Sequence, residues 1–296
     1  MNATAKKTGA AALRREAWVR FRRNRLAMAG LFMAISVILA AAFAPVLAPY
    51  DPFKQLIWTQ GGEVRLAPPS AAHIMGTDLY GRDIFSRILH GARISLQIGI
   101  FATIVSLLVG VPLGAAAGYY GGFTDDAISW LINVVFAFPF FLFIIAVVAV
   151  FQNPSMSVIY LAIGLVNWVG IARVTRAQFI SLREREFVEA ARALGLPDRR
   201  IIFGHILPNA LAPVIVQATM GIGGIIMIEA GLAFLGFGAQ PPTPSWGLMI
   251  SDGQRYLGIG KWWWAVFPGL AITYTVLAFN FLGDGLRDAL DARLKR

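Results

Sequence analysis

Apolar and polar stretches alternate along this chain on a scale set by a bilayer, whose core takes about twenty helical residues to cross. Apolar runs fall at 26–47, 94–118, 127–151, 156–172 and 211–237, and a sixth follows the tryptophans at 262–264 and reaches residue 282. They predict an all-α, polytopic membrane protein with six transmembrane helices. Gly110, Gly114 and Gly118 recur at i, i+4, i+8 in the second run, so one helix face carries only hydrogen atoms and a neighbouring backbone can approach closely. Pro112 beside that stripe and Pro139 in the third run predict a kink and an interruption. The fifth run carries Pro213 and a glycine cluster at 221, 223 and 224.

The polar stretches are of three kinds. Residues 13–26 mix Trp18 and Phe21 with basic side chains and read as an amphipathic helix along the inner interface, behind a short basic tail. The apolar run after it is too long, and its charged leader too extended, for a cleaved signal peptide, so it reads as a retained first helix. Residues 49–93, with Pro68-Pro69 and Gly76–Asp83, and residues 238–261 read as ordered extramembrane loops, with 84–92 a helix at the membrane surface. Gln152-Asn153-Pro154 turns the chain between spans. The tryptophans at 262–264 read as an interfacial anchor, and Leu286, Leu290 and Leu294 as one face of a short surface helix. The expected organisation is a basic segment at 1–25, a first helix and outer loop at 26–93, a core of spans at 94–283 and a tail at 284–296.

Composition sharpens the solvent. At 57% hydrophobic and 14% charged the chain falls well short of the roughly 25% charge of soluble domains. The net charge of +10 lies in blocks between apolar runs rather than on an aromatic platform, which excludes nucleic acid as a partner and leaves membrane lipid. The N-terminal segment, the stretch 173–200 and the tail hold nineteen Lys and Arg between them, against seven in the two long loops. Positive-inside places both termini and the 173–200 stretch in the cytoplasm. There are no cysteines, and His73, His90 and His205 are scattered, so no metal site is expected.

The polar island after the fourth run is the most structured of these stretches. Residues 180–194 are helix formers with charges on one face, Gly195 stands where a left-handed cap belongs, and Pro197 and Asp198 suit the start of a second helix reaching His205. Leu207-Pro208 then returns the chain to the membrane. The result is a helix–Gly–helix elbow, which serves equally as a docking element or as a well-made hairpin. Glu229 falls inside the fifth span, where an ionisable group marks a pathway or an interhelical hydrogen bond. Asn133, Asn167 and Asn280 carry the same two readings. Asp78, Arg82, Asp83 and Arg87 either dock a partner or order their own loop through mutual salt bridges.

The island resembles the EAA loop of ABC-importer permeases: EAA, three residues, Gly, nine residues, Ile, one residue, Leu-Pro. Glu189, Ala190, Ala191, Gly195, Leu207 and Pro208 match, and His205 stands where isoleucine is usual. The stretches 76–96, 232–247 and 266–291 are similar to the second permease subunit of the dipeptide/oligopeptide (and nickel) branch, and the resemblance runs from Trp18 onward. It implies a type I importer fold in a bacterial inner membrane, a second homologous permease, two cytoplasmic ATPases and a periplasmic or lipid-anchored binding protein. The loop at 176–208 is then the coupling element in a groove of the ATPase. ATP and Mg are expected on the ATPases and no cofactor on this chain, which lacks a phosphate loop: Gly260-Lys261 has neither the earlier glycine nor the following hydroxyl. Peptide is the implied cargo, with glutathione or nickel chelates as alternatives.

Two other classes fare worse. An ion-coupled secondary transporter calls for inverted repeats and several polar or broken-helix sites at the midplane, against one acid and no evident repeat here. An intramembrane enzyme lacks a cysteine, a metal cluster or paired carboxylates.

Overall fold

The computed structural model describes residues 15–151 and 155–290. Residues 15–23 are helical and break at Asn24, whose side chain accepts from the backbone N–H of Leu26 and Ala27 and so caps α1 (Arg25–Ala42). Further helices are α2 (Ile84–Tyr120), α3 (Gly122–Ala137), α4 (Phe140–Ala149), α5 (Met156–Arg183), α6 (Glu186–Ala193), α7 (Asp198–Ile201), α8 (Leu207–Phe234), α9 (Trp246–Gly253) and α10 (Trp263–Leu290). A π turn, Ile202–Ile206, joins α7 to α8 without a break. Five helices are long and apolar enough to cross a membrane: α1, α2, α5, the joined α7–α8 and α10. The pair α3 and α4 makes a sixth crossing only if counted together, because they meet at 88°. Among the described residues there is no strand, only an isolated bridge between Thr77 and Asp83.

The glycine stripe builds the central helix pair. A methyl group at Gly110 or Gly118 would stand 2.6 Å from the carbonyl oxygen of Trp168 or Arg176, and one at Gly114 would run into that of Ala172. Three glycines thus meet three carbonyls one turn apart, and α2 and α5 lie backbone against backbone. Gly114→Ala is expected to cost about 1–3 kcal/mol, since a carbonyl cannot swing aside as a side chain can. A lowered thermal midpoint of the purified protein, against an unchanged midpoint for Gly62→Ala, whose added methyl meets nothing, checks this. The same device closes α1 on α10, where Gly30 meets the backbone of Leu282 and Gly285 meets Ala27. Asn24 also donates to Asp288 across that seam at 3.0 Å.

Several expectations need correction. The second span starts at Ile84, so 84–92 is not a separate surface helix: Asp83 caps the N-terminus by accepting from Ser86 N–H, and the helix runs on unbroken across the expected boundary at 93. The third run turns sharply at Phe138-Pro139 instead of spanning straight, because proline removes a hydrogen bond and displaces the preceding turn. The tail begins with no break at Gly283, since α10 continues to Leu290 with Leu286 packed beside Phe21 and Ala289. Trp263 and Trp264 are not interfacial anchors but buried core, and Trp263 Nε1 donates to the Thr77 carbonyl at 3.2 Å, which satisfies its polar edge inside the protein. Trp262 alone is exposed. The turn at 152–154, the tail at 1–10 and Leu294 lie outside the described residues.

Candidate functional site

Two polar assemblies stand at opposite ends of the bundle. At one end, the C-terminus of α5 and the start of α8 bracket the elbow. The single helix expected over 180–194 is two, because α5 stops at Glu184 and α6 starts after Arg185. The bend turns Val188 and Ala191 onto a core of Tyr119, Phe179, Ile201 and Ile206. Arg183 crosses to donate to the Gly118 carbonyl at 3.2 Å.

Gly195 closes α6 as its sequence position demands. Its φ is +72°, Leu196 N–H bonds to Ala191 O at 3.2 Å and Gly195 N–H to Arg192 O at 2.9 Å, the paired bonds of a Schellman cap. Tyr119 at the end of α2 then locks the second limb by donating to Asp198 at 2.6 Å, with the Arg192 guanidinium over its ring at 5.4 Å. Neither contact had a signal in the sequence, because both cross between helices.

The second limb differs from the short separate helix expected over 197–205. Pro208 has no N–H, and its ring would crowd the Gly204 carbonyl. The chain widens into the π turn over Ile202–Ile206 and continues straight into the span, with Leu207 N–H reaching back to Ile202. His205 sits half-buried in that turn, and its carbonyl accepts from Asn209 Nδ2 at 2.6 Å. Of the matched residues, Ala191 is buried against the chain's own core while Glu189, Ala190, Gly195 and Pro208 face outward. The outer surface also carries Leu194, 81% exposed, and Phe203, 62% exposed, beside Arg199 and Arg200.

At the other end, Asp78, Arg82, Asp83 and Arg87 come together and are all buried. Asp78 accepts the N–H groups of Tyr80 and Arg82 at 2.8 and 2.9 Å and the Arg82 Nε at 2.6 Å, with Arg87 Nε at 3.8 Å. Arg87 donates to the Pro52 carbonyl at 3.0 Å, and His73 Nδ1 to Asp83 at 2.9 Å. These side chains are turned inward on the loop itself, although Arg87 Nε has no hydrogen-bond partner there. Burial pushes the Asp252 carboxyl above its ordinary range, although Arg82, Arg87 and Arg255 pull it back in part. A raised carboxyl costs stability once ionised, and that cost disappears as pH falls and the group takes up its proton. Asp252→Asn is therefore expected to leave the thermal midpoint unchanged or slightly higher at neutral pH, with any gain shrinking toward acid pH. A clear drop would mean that the arginines dominate.

The membrane-depth candidates separate. Glu229 is fully buried near the end of α8, and neither carboxylate oxygen makes a hydrogen bond at normal length; its nearest polar neighbours are Ser245 and the backbone of Ala239. Asn133 lies on an exposed face of α3. Asn167 lines a cavity of about 110 Å³ between α2, α5 and α8, together with Ser106 and Gln217. Among the described residues no group of three or more His, Asp or Glu side chains could hold a metal ion.

Residues 110–296, which hold the elbow and the packed spans, match the family of binding-protein-dependent transport system inner membrane components. The chain belongs to that family. Residues 13–69 separately match the N-terminal membrane domain of oligopeptide transport permease C. The permease is 48% identical over 281 residues to a dipeptide transport system permease protein of Alkalihalophilus pseudofirmus, covering 95% of this chain and 90% of the relative. It is 43% identical to a glutathione transport system permease protein of Pectobacterium atrosepticum, covering 95% and 91%. Its fold resembles an inward-facing methionine ABC transporter, with a TM-score of 0.55 at 21% identity over 70% of this chain and 98% of that one. It is a permease subunit of an ATP-binding cassette importer with the type I fold, which disposes of the secondary-transporter and intramembrane-enzyme readings.

Proposed function

We propose that this permease moves dipeptides and short oligopeptides inward, with its elbow seated on a separate ATPase. The observation that carries the coupling role is the outward face of the elbow. Leu194 and Phe203 are large apolar side chains on a charged segment, covered by no described residue, and such an anchor with a polar rim is the anatomy of a protein interface. Because α7, the π turn and α8 form one unbroken rod, a push on that face is delivered straight to the membrane. The chain has no phosphate loop of its own, so two ATPase subunits supply the drive and ATP and Mg sit on them. A second homologous permease completes the pathway, and a binding protein delivers cargo at the loop end. This arrangement puts the elbow and both termini in the cytoplasm. The buried set around Asp78 then shapes the loop rather than touching the binding protein directly.

Peptide as cargo rests on the dipeptide permease relatives, and glutathione, itself a small peptide, is the second reading on the strength of the 43% identical relative. The test has two parts. A tagged chain purified from its own membrane should bring an ATPase with it, and failure to retain one sinks the coupling role. In vesicles carrying the purified complex, labelled dipeptide should accumulate with ATP faster than labelled glutathione; the reverse order assigns the cargo to glutathione.

A further inference from the structure

The elbow end of the bundle opens into a cavity of about 640 Å³ between α5, α8 and α10, lined by Gln178, Asn209, Pro213, Gln217 and Arg287. That volume falls among small-molecule sites, which run at about 300–1,000 Å³. Gln217 also lines the 110 Å³ cavity deeper in the bundle, so the two form one groove that narrows away from the elbow. The deeper part is too small for such a ligand.

Its walls differ in kind from the packed seams. Gly221 and Gly224 on α8 have nothing within 4 Å of where a methyl group would stand, and Gly170 on α5 has only the Gln217 amide at 3.9 Å. A glycine inside a helix costs about 0.5–1 kcal/mol relative to alanine. At Gly110, Gly114 and Gly118 that cost is offset by close backbone packing; at these three no helix approaches. What they do instead is keep the groove wall flat.

The polar lining has a consistent chemistry. Asn167, Gln178, Asn209 and Gln217 are carboxamides, each able to donate and accept, so they can pair with peptide groups whatever side chains a peptide carries. Among the described residues no acid lines either cavity, and the one charged side chain is Arg287 at the mouth. Arg287 is exposed and forms no ion pair among the described residues, and its planar fork matches a carboxylate. An exposed cation holds an anion only weakly, which suits a group that must be released. Asn209 also bonds to the His205 carbonyl, tying this mouth to the π turn of the elbow.

We propose that the α5–α8 groove is this chain's half of the translocation route, and that Gln178, Asn209, Gln217 and Arg287 form an exit vestibule for the carboxylate end of a short peptide. This rests on the permease reading. A test follows from the chain having no cysteine of its own. In the assembled transporter, single cysteines are placed at Gln217, Gly221 and Gly224, and at the outward apolar positions Ile215 and Met227. Each is exposed to a hydrophilic maleimide, with modification read as a mobility shift of this chain alone. The groove positions should label at least about tenfold faster than Ile215→Cys and Met227→Cys, because a reactive thiolate forms only where water reaches. A transporter that takes up peptide while all three groove positions label no faster than the outward ones in every nucleotide state overturns the route and leaves the permease reading standing. That result would mean a partner helix fills the groove.

The vestibule has its own test. In inside-out vesicles, millimolar dialanine should slow labelling of Gln217→Cys several-fold, its C-terminal amide should do so less, and Arg287→Gln should erase the difference. Equal protection by the acid and the amide, or none by either, overturns the assignment of Arg287.

Discussion

Asp78→Ala is expected to cost the fold about 3–5 kcal/mol, the usual result of stripping one partner from a buried ion pair. The loss exceeds that of a surface salt bridge for two reasons. Asp78 is wholly buried and also receives two backbone N–H groups, so its removal orphans donors as well as a charge. It further leaves Arg82 and Arg87 facing each other in the interior with no anion directly between them. The damage should spread, because this loop carries the Gly76 and Thr77 backbone against Trp263 and starts α2 through the Ile84 N–H to Gly76 carbonyl bond. The check is the thermal midpoint of the detergent-purified chain together with its level in the membrane. Both should fall sharply for Asp78→Ala and remain near the parent for Asp252→Asn. A midpoint unchanged by Asp78→Ala would mean that the arginines find other partners or water.

Leu194→Asp should have the opposite profile: little effect on the chain and a large one on transport. Leu194 is 81% exposed, and substitutions at such positions usually change stability by less than about 0.5 kcal/mol. An acid at a helix C-terminus adds about 0.3–1 kcal/mol of unfavourable dipole interaction, too little to unfold a membrane bundle. If Leu194 is a central anchor of the ATPase interface, its loss costs about 2 kcal/mol or more of association, roughly thirtyfold in affinity. Peptide uptake and the ATPase retained on a tagged chain should fall together while the amount of chain in the membrane is unchanged. Uptake at the parental rate would show that the elbow couples through another surface.

These two sites also mark how far the sequence could be read. Gly195 and Pro197 announced the elbow because positive φ and a missing N–H are properties of the residues themselves. The stripe at 110, 114 and 118 was legible for a similar reason: spacing alone aligns three small residues on one face. The break at 184–185 was not legible, since no glycine or proline stands there and the bend arises from Val188 and Ala191 seeking the core. The buried state of Arg87 was hidden as well. A mutual salt bridge with Asp78 was one of two readings open to it, and only the fold shows the pair sealed from water. The capping role of Asp83 was available in principle, since an acid before an apolar helical run is a start signal. Gly221 and Gly224 show the deepest limit, for nothing in their spacing separates a glycine that admits a neighbouring helix from one that leaves a groove empty.

The central claim is that the elbow, and not the opposite loop end, meets the motor. It is tested most directly by cross-linking from single cysteines in this cysteine-free chain, at Leu194 and at Ile259, which is 65% exposed beyond α9 at the other end. With a short thiol-to-amine reagent in native membranes, Leu194→Cys should give a product of this chain joined to the ATPase, and Ile259→Cys should give none. An ATPase product from Ile259→Cys, or its absence from Leu194→Cys, would contradict the account.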